Sequence, residues 1–373
     1  MIQPKQETWY KVIDETKVST PGLLVFPDRV RKNIASMIAI AGDVNRLWPH
    51  IKTHKMAAVV QLQMEYGIRR FKCATLGEVQ LLIDCGVDHI LLAMQPSKDK
   101  LLKILKLQQN HPEISFSVLV DNTTSLRAFS ELAEQKQQNL NLWLDLNIGM
   151  NRTGIIPGSE AVALYREIEN HPWLTAKGLH AYDGHIRPHN LDERITKCDV
   201  GFKAVYELKT AIEAAEGTVA DIIAGGSPTF FPHALRGNVF LSPGTTLLWD
   251  AGYSKIWEES PFLIAAVLAT RVLSKPAKNI LCFDLGHKAM APEMPLPRAI
   301  IFGLETAVHR GQSEEHLIIE TPLADQYQVG DMAYALPYHI CPTVAKHNKA
   351  QIVSKGQLSE YWEVKARDYI VNI

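Results

Sequence analysis

The feature that most constrains this chain is an alternation of short apolar runs with amphipathic helical patterns, repeated from residue 44 to residue 244. Some runs, such as Ile90-Leu91-Leu92-Ala93, are apolar throughout, which indicates strands buried on both faces of a parallel sheet. The strand candidates are 44–53, 71–75, 89–93, 115–120, 141–147, 176–182, 221–226 and 238–244. The helical patterns between them include 76–85, 99–109, 124–135, 160–169 and 202–215.

Eight strands that alternate with helices indicate the α/β fold class. Such a pattern can close into a (β/α)8 TIM-type barrel or open into a doubly wound sheet, and periodicity alone does not choose between them. The count of eight favours the barrel.

A second, mostly β domain is predicted after the barrel. From about Pro261 the apolar runs look like strands without helices between them, and prolines are frequent. These runs are 265–273, 280–284, 298–304, 316–320 and 332–336. We therefore expect a barrel domain at 22–260 and a β-rich C-terminal domain at 261–373, to which residues 1–21 are assigned; the N-terminal segment could add a strand to either part.

Composition and charge exclude several classes of function. The 373 residues carry 39 Lys+Arg and 40 Asp+Glu, so no broad basic field is available for nucleic acid or an anionic membrane. The N-terminus lacks the apolar core of a signal peptide, and the most apolar stretch, 261–270, is about half the ~20 residues that a membrane span requires. Five scattered cysteines, an odd number, fit a reducing cytoplasm better than a disulfide framework.

The end of the first predicted strand, residues 48–55, reads Trp-Pro-His-Ile-Lys-Thr-His-Lys. In a barrel, reactive side chains lie at the C-terminal ends of the strands. Lys52 and His50 share one face if the segment is extended, and a desolvated lysine is a useful nucleophile. Two lysines and two histidines in eight residues are also typical of a solvated surface turn, and taken alone the segment fits that reading better.

Residues 49–55, followed by Cys-Ala-Thr-Leu-Gly-Glu at 73–78, resemble the N-terminal signature of the D-threonine aldolase/D-serine dehydratase family. That family belongs to the alanine racemase-like, fold-type III enzymes that use pyridoxal phosphate (PLP). The resemblance extends over most of the chain. It implies that Lys52 carries PLP as a Schiff base, that a (β/α)8 barrel precedes a β domain, and that the protein is a homodimer.

The resemblance also assigns residues around the cofactor. Residues 145–154 are similar to a family segment whose arginine points at the cofactor ring, so Arg152 is expected to donate to the PLP phenolate oxygen. Tyr182 matches the position beside the pyridine ring, and His185 follows closely. No Asp or Glu obviously matches a partner for the pyridine nitrogen, and a neutral partner would weaken the electron sink.

Two glycine-containing turns are candidates for binding the phosphate. Backbone N–H donors in loops free of side chains suit phosphate, and both turns follow late barrel strands. The first, residues 225–229, resembles the family's Gly-Gly-x-Pro-Thr turn. The expected contacts are Gly225, Gly226, Ser227 and Thr229 in the first turn, and Gly244 and Thr245 in the second.

His339 and Cys341 are the candidate metal ligands. On an extended strand they would lie on one face, two residues apart, although the spacing alone fits core packing better than a metal site. The resemblance implies a metal on this pair, and a thiolate favours zinc over magnesium or manganese. Residues 313–316, Ser-Glu-Glu-His, are interpreted as support for the metal or its water. Residues 362–367, ending at Arg367, match the family without an assigned role.

Together with these residues, the resemblance implies a lyase that acts on β-hydroxy-D-amino acids. Removal of the hydroxyl proton would break Cα–Cβ, as in an aldolase, whereas removal of the α-proton by Lys52 with a metal on the departing hydroxide would eliminate water. His54 and His185 are candidate bases, and each can equally be a supporting or loop histidine. The alternatives are a PLP-dependent racemase, which needs two opposed bases and no metal, and a non-catalytic binding protein, either a PLP carrier or a cofactor-free barrel.

Overall fold

The computed structural model describes residues 9–369, which form sixteen strands and ten helices. The strands are β1 (Gly22–Val25), β2 (Arg70–Cys73), β3 (His89–Leu92), β4 (Ser115–Val120), β5 (Leu140–Leu146), β6 (Leu174–Ala181), β7 (Asp221–Ala224), β8 (Phe240–Leu241), β9 (Ala266–Ser274), β10 (Ile280–Phe283), β11 (Ala299–Ile301), β12 (Val308–Gln312), β13 (Leu317–Glu320), β14 (Met332–Pro337), β15 (Lys349–Ser354) and β16 (Gln357–Glu363). The helices are α1 (Pro27–Ala41), α2 (Ala57–Glu65), α3 (Leu76–Cys85), α4 (Lys98–Asn110), α5 (Thr123–Lys136), α6 (Ser159–Asn170), α7 (Leu191–Ala214), α8 (Phe230–Ala234), α9 (Ala251–Ile256) and α10 (Ile340–Val344).

One compact unit, built mainly from residues 37–52 and 60–244, is a parallel barrel. Strands β2 to β8 follow one another in chain order, and each neighbouring pair is parallel. Residues 47–50 close the ring, because Leu47 pairs with Leu241 of β8 and His50 pairs with Lys72 of β2. This segment takes the eighth strand position, so the predicted α/β barrel is confirmed.

The first predicted strand, 44–53, is wrong in its extent. The structure has a 3₁₀ turn at Val44–Arg46, only the two bridges that close the barrel, and a second 3₁₀ turn at Ile51–Thr53. The side chain of Asp43 caps the first turn. In the second, the N–H of Lys52 donates to Nδ1 of His50 at 3.2 Å, which favours a turn over a ladder. Lys52 and His50 therefore do not share a strand face.

Elsewhere local sequence signals fix the element boundaries. Helix α3 matches its predicted range because Thr75 accepts the N–H of Glu78 while the Glu78 carboxylate accepts the N–H of Ala74. The helix stops at Gly86, whose φ of 71° is left-handed. Caps of this kind make helix ends readable from sequence.

The barrel interior contains a cluster of large apolar side chains. Trp48, Leu91, Leu119, Trp143 and Ile223 come from different strand positions and are all buried. The indole rings of Trp48 and Trp143 meet edge to face at 6.0 Å. Burial of each such side chain contributes about 1.5–3 kcal/mol, and this packing fixes the frame on which the strand ends are held.

The second compact unit, built from residues up to 36, 53–59 and 245–367, is mostly β. Its sheet runs β12-β13-β10-β9-β1-β15-β16, and β14 pairs with β9 and β11. The five strands predicted after Pro261 are present, which confirms the β-rich character. Strands β12, β15 and β16 were not predicted: β12 and β16 are largely polar and lie at the two edges of the sheet, whereas β15 is mostly buried between β1 and β16.

The compact units divide the chain at residues other than the expected domain boundaries. The domain ranges 22–260 and 261–373 with 1–21 stay a prediction, and residues 1–8 and 370–373 lie outside the described part of the chain. No helix among residues 9–369 is long and apolar enough to cross a membrane. All five cysteines are free thiols.

Candidate active site

Lys52, Tyr182 and Arg152 meet around one aromatic ring. The Lys52 ammonium lies 5.8 Å and the Arg152 guanidinium 4.8 Å from the centroid of the Tyr182 ring. Tyr182 directly follows β6, and Lys52 follows the segment that closes the barrel. Within residues 9–369, Lys52 Nζ has no recorded hydrogen bond or ion pair. The amine is therefore available to a ligand that binds beside Tyr182.

A polar layer lies inside the barrel among these strands. Nζ of Lys72 is 2.8 Å from Nε2 of His180 and donates to Oγ of Ser242 at 3.0 Å. Nδ1 of His180 donates in turn to Asp145 at 2.7 Å. Burial, together with the nearby charge of Lys52, lowers the pKa of Lys72 to about 7. The sequence analysis did not find Lys72, because an apolar-patterned strand gives no signal for a buried amine.

The glycine turn after β7 is held by internal hydrogen bonds. Gly225 N–H donates to Ala181 at 2.9 Å, and Gly226 N–H donates to the hydroxyl of Thr229 at 3.2 Å. The hydroxyl of Ser227 accepts the N–H of Gly244 at 3.1 Å, so the two predicted phosphate turns contact each other. The structure thus brings these predicted residues together; their contact with phosphate stays a prediction.

The two candidate bases have opposite surroundings. His54 is fully buried, and burial lowers its pKa to about 3. Its Nδ1 accepts the N–H of Met56 at 3.2 Å. His185 is exposed, and its ring lies against Gly149, where an added Cβ would come within 3.1 Å of Nε2. Protonation is therefore unfavourable at His54.

The predicted metal pair does not lie on an extended strand. β14 ends at Pro337, His339 caps the short helix α10, and Cys341 lies in its first turn. The chain turns here because the Ile340 N–H donates to the buried carboxylate of Asp250 at 3.0 Å. The helical turn still brings the two side chains into hydrogen-bond contact.

Glu293, Thr53 and Thr245 surround this pair, and the sequence analysis had assigned none of them to it. Nδ1 of His339 is 2.6 Å from Glu293 Oε1, while the hydroxyls of Thr53 and Thr245 lie 3.2 and 3.4 Å from the Cys341 sulfur. Burial disfavours the His339 cation, but hydrogen bonds to Cys341 and Glu293 outweigh it and raise the pKa of His339 to about 9. Glu293 lies in a proline-rich loop without a motif, so its approach is a tertiary effect.

The predicted support at residues 313–316 is exposed, and its backbone accepts the N–H groups of His287 and Lys288. Glu314 and Glu315 are both exposed and pair with Lys288 at 2.8 and 2.9 Å. Among residues 9–369, neither carboxylate has a recorded contact with His339 or Cys341. The role of this segment beside the metal or its water stays a prediction.

A buried cluster that the sequence analysis did not find contains Asp183, Cys198 and His233. One ligand atom from each lies within 4.8 Å of the others, which is close enough for the three to share a metal ion. Asp183 follows β6, Cys198 lies on α7 and His233 lies on α8. Because the three are widely spaced in the sequence, only the fold brings them together.

Fold and site define a class of protein: a parallel α/β barrel with a lysine after its first strand position, followed by a mostly β domain. The family model for the alanine racemase N-terminal domain matches residues 25–249, and that for a putative serine dehydratase domain matches 265–353. The chain belongs to the alanine racemase N-terminal domain family, and the predicted resemblance is confirmed. Members of this family use PLP.

Relatives span nearly the whole chain. D-threonine aldolase of Arthrobacter sp is 25% identical over 362 residues, which are 95% of this chain and 94% of that protein. D-threo-3-hydroxyaspartate dehydratase of Delftia sp. (strain HT23) is 23% identical, with 93% and 97% covered. The crystal structure of D-threonine aldolase from Filomicrobium marinum matches with a TM-score of 0.85 at 25% identity, with 94% and 96% covered. The family thus includes PLP-dependent aldolases and dehydratases.

Proposed function

We propose that this protein is a PLP- and metal-dependent lyase that acts on β-hydroxy-D-amino acids, by retro-aldol cleavage or by β-elimination of water. The observation that carries the proposal is the meeting of Lys52 and Arg152 at the Tyr182 ring. An amine without an ionic partner, a guanidinium and an aromatic ring are the groups that an anionic aromatic aldehyde requires. Members of the family supply the precedent for PLP.

The residues of this chain fit the cofactor as follows. Lys52 offers the amine that would attach it, Arg152 would donate to the phenolate oxygen, and Tyr182 would lie beside the ring. The turns that contain Gly226 and Gly244 would receive the phosphate. When bound, PLP supplies an electron sink for negative charge at the substrate Cα.

The donor set of His339 and Cys341 fits a divalent metal ion, zinc in particular. Imidazole nitrogen and thiolate are ligands that zinc prefers. Glu293 binds the other ring nitrogen of His339, as carboxylates commonly do behind metal-binding histidines. Two protein ligands leave positions open for a substrate oxygen, and a bound ion supplies Lewis acidity there.

Side chains of the protein would accept and donate the protons of the reaction. For β-elimination, Lys52 would accept the α-proton. For retro-aldol cleavage, a base must accept the β-hydroxyl proton, and His185 fits better than His54 because burial disfavours the His54 cation. Assembly as a homodimer and a cytoplasmic location are further parts of the proposal, the first from the family resemblance and the second from cysteine usage.

Incubation of the purified protein with D-threonine tests the function. We expect glycine and acetaldehyde from an aldolase, or 2-oxobutanoate and ammonia from a dehydratase. Lys52→Ala should lower the rate at least about a hundredfold. Exhaustive chelation of the wild-type protein should abolish its activity. L-allothreonine as the product would instead identify a racemase.

Borohydride reduction followed by peptide mapping locates the cofactor independently of turnover. We expect the PLP adduct on Lys52, while Lys72, the buried lysine of the barrel interior, provides the internal comparison. An adduct on Lys72, or none on any lysine, would contradict the proposal.

A further inference from the structure

The buried cluster under the glycine turn is a continuous hydrogen-bonded network. Asp183, Cys198, Thr229 and His233 are each at most 1% exposed. The Thr229 hydroxyl donates to Asp183 Oδ1 at 2.5 Å, and Nε2 of His233 lies 2.7 Å from Asp183 Oδ2. The Cys198 thiol also bonds to this carboxylate. A buried carboxylate is stable only when its oxygens are satisfied in this way.

The direction of each hydrogen bond can be assigned. Nδ1 of His233 accepts from Nε of Arg236 at 3.1 Å, so its Nε2 carries the hydrogen that is donated to Asp183. Since the Thr229 hydroxyl gives its one hydrogen to Asp183, its oxygen is oriented to accept the Gly226 N–H. The Asp183 carboxylate thus orients the Thr229 hydroxyl, which in turn holds the N–H of Gly226 in the turn.

The glycine turn packs directly on this network. A Cβ at Gly225 would lie 2.6 Å from the His233 ring and 2.8 Å from the Thr229 hydroxyl. On the other side, a Cβ at Gly226 would lie 2.8 Å from the Tyr182 ring. The turn is therefore confined between the buried network and the aromatic ring that Lys52 and Arg152 contact.

We propose that Asp183, acting through Thr229 and His233, is a positioning residue that fixes turn 225–229 in the conformation that receives the cofactor phosphate. The inference rests on the proposed function, because it presupposes PLP at Lys52. It assigns the cluster a role other than metal binding. Both carboxylate oxygens already accept hydrogen bonds, Arg236 places a cation against His233, and burial raises the pKa of the Cys198 thiol and keeps it protonated.

The matched pair Thr229→Val and Thr229→Ser tests the network. Valine keeps the shape and loses the hydroxyl, whereas serine keeps the hydroxyl. We expect Thr229→Val to weaken PLP binding about tenfold and Thr229→Ser to restore most of it, since one buried hydrogen-bonded link is lost and regained. Affinity is measured by absorbance titration of the cofactor-stripped protein.

Pyridoxal, which lacks the phosphate, separates turn positioning from general damage. In Thr229→Val the affinity for pyridoxal should stay within about twofold of wild type, and inorganic phosphate should compete less effectively with PLP. Asp183→Asn should act in the same direction. Thr210→Val, at an exposed threonine of α7 whose hydroxyl donates to the carbonyl oxygen of Tyr206, is the matched control and should leave both affinities unchanged. Circular dichroism and Tm identify any variant that fails to fold.

Equal loss of PLP and pyridoxal affinity in folded Thr229→Val would overturn the inference, as would no loss of either. A zinc ion that Cys198→Ala releases and Cys341→Ala retains would also overturn it, in favour of a metal site. Failure of the wild-type protein to bind PLP at Lys52 would instead refute the proposed function.

Discussion

Lys72 lies in surroundings that disfavour its charged form. Its ammonium group is 2% exposed inside the barrel and contacts His180 and Ser242. Asp145 supplies negative charge through His180, while Lys52 and Arg152 add positive charge nearby. Burial outweighs the attraction, and the pKa of Lys72 falls from 10.5 to about 7.

This shift predicts a pH-dependent stability. Between pH 7 and 10.5 the unfolded state holds a proton on Lys72 that the native state has lost, so this residue makes the free energy of unfolding rise with pH by up to about 1.4 kcal/mol per unit. Lys72→Met lacks this pH-dependent contribution to the free energy of unfolding. Its stability relative to wild type should therefore fall by about 2 kcal/mol from pH 7 to pH 9 in urea unfolding.

Lys106→Met, at an exposed lysine, is the control for that comparison. Its free energy of unfolding should change with pH as that of the wild type does. If the free energy of unfolding of Lys72→Met also changes with pH as that of the wild type does, the buried amine does not titrate in this range.

Among the elements of the barrel, the turn after β7 leaves little room for a larger side chain. Gly225 and Gly237 share a φ of +71°, but only Gly225 has neighbours that a Cβ would overlap. The two glycines therefore separate the cost of a left-handed backbone from the cost of crowding.

Gly237→Ala should destabilise the protein by about 1 kcal/mol, the cost of a left-handed residue with a Cβ. Gly225→Ala should cost about 1–3 kcal/mol more, because the methyl group overlaps His233 and Thr229. Urea unfolding of both variants measures the difference in free energy of unfolding. Equal destabilisation by the two substitutions would mean that His233 and Thr229 shift to make room for the methyl group.

Local signals explain which elements the sequence could predict. Helix α3 carries a capping box at Thr75 and a terminal Gly86, so its ends follow from nearest neighbours along the chain. The first barrel strand is reduced to two bridges because the His50 side chain accepts the N–H of Lys52, a competition that apolar periodicity does not reveal.

At the scale of the whole molecule, the candidate cofactor and metal residues belong to different compact units. Lys52, Arg152 and Tyr182 lie in the barrel unit, whereas His339 and Cys341 lie in the β unit. The proposed function therefore requires both units, while each ligand set is formed within one of them.

Because the two ligand sets lie in different units, we expect the metal and the cofactor to be lost independently of each other. Cys341→Ala should lose the bound metal and keep PLP on Lys52, and Lys52→Ala should lose the attached PLP and keep the metal. Metal analysis and absorbance of each purified variant check both. Cys282→Ala, at a buried thiol of β10, is the control and should keep both ligands. Retention of metal by Cys341→Ala would refute the assigned ligand pair.

The fold class, most strand positions and the family could be inferred from the sequence, because burial periodicity, helix caps and motif order are properties of neighbours along the chain. Packing in the folded chain decided the 3₁₀ turn at Lys52, the helical setting of His339 and Cys341, and the approach of Glu293 to His339. It also decided the Asp183 and Lys72 networks, which join side chains far apart in sequence. Such contacts follow from packing, which no local pattern encodes.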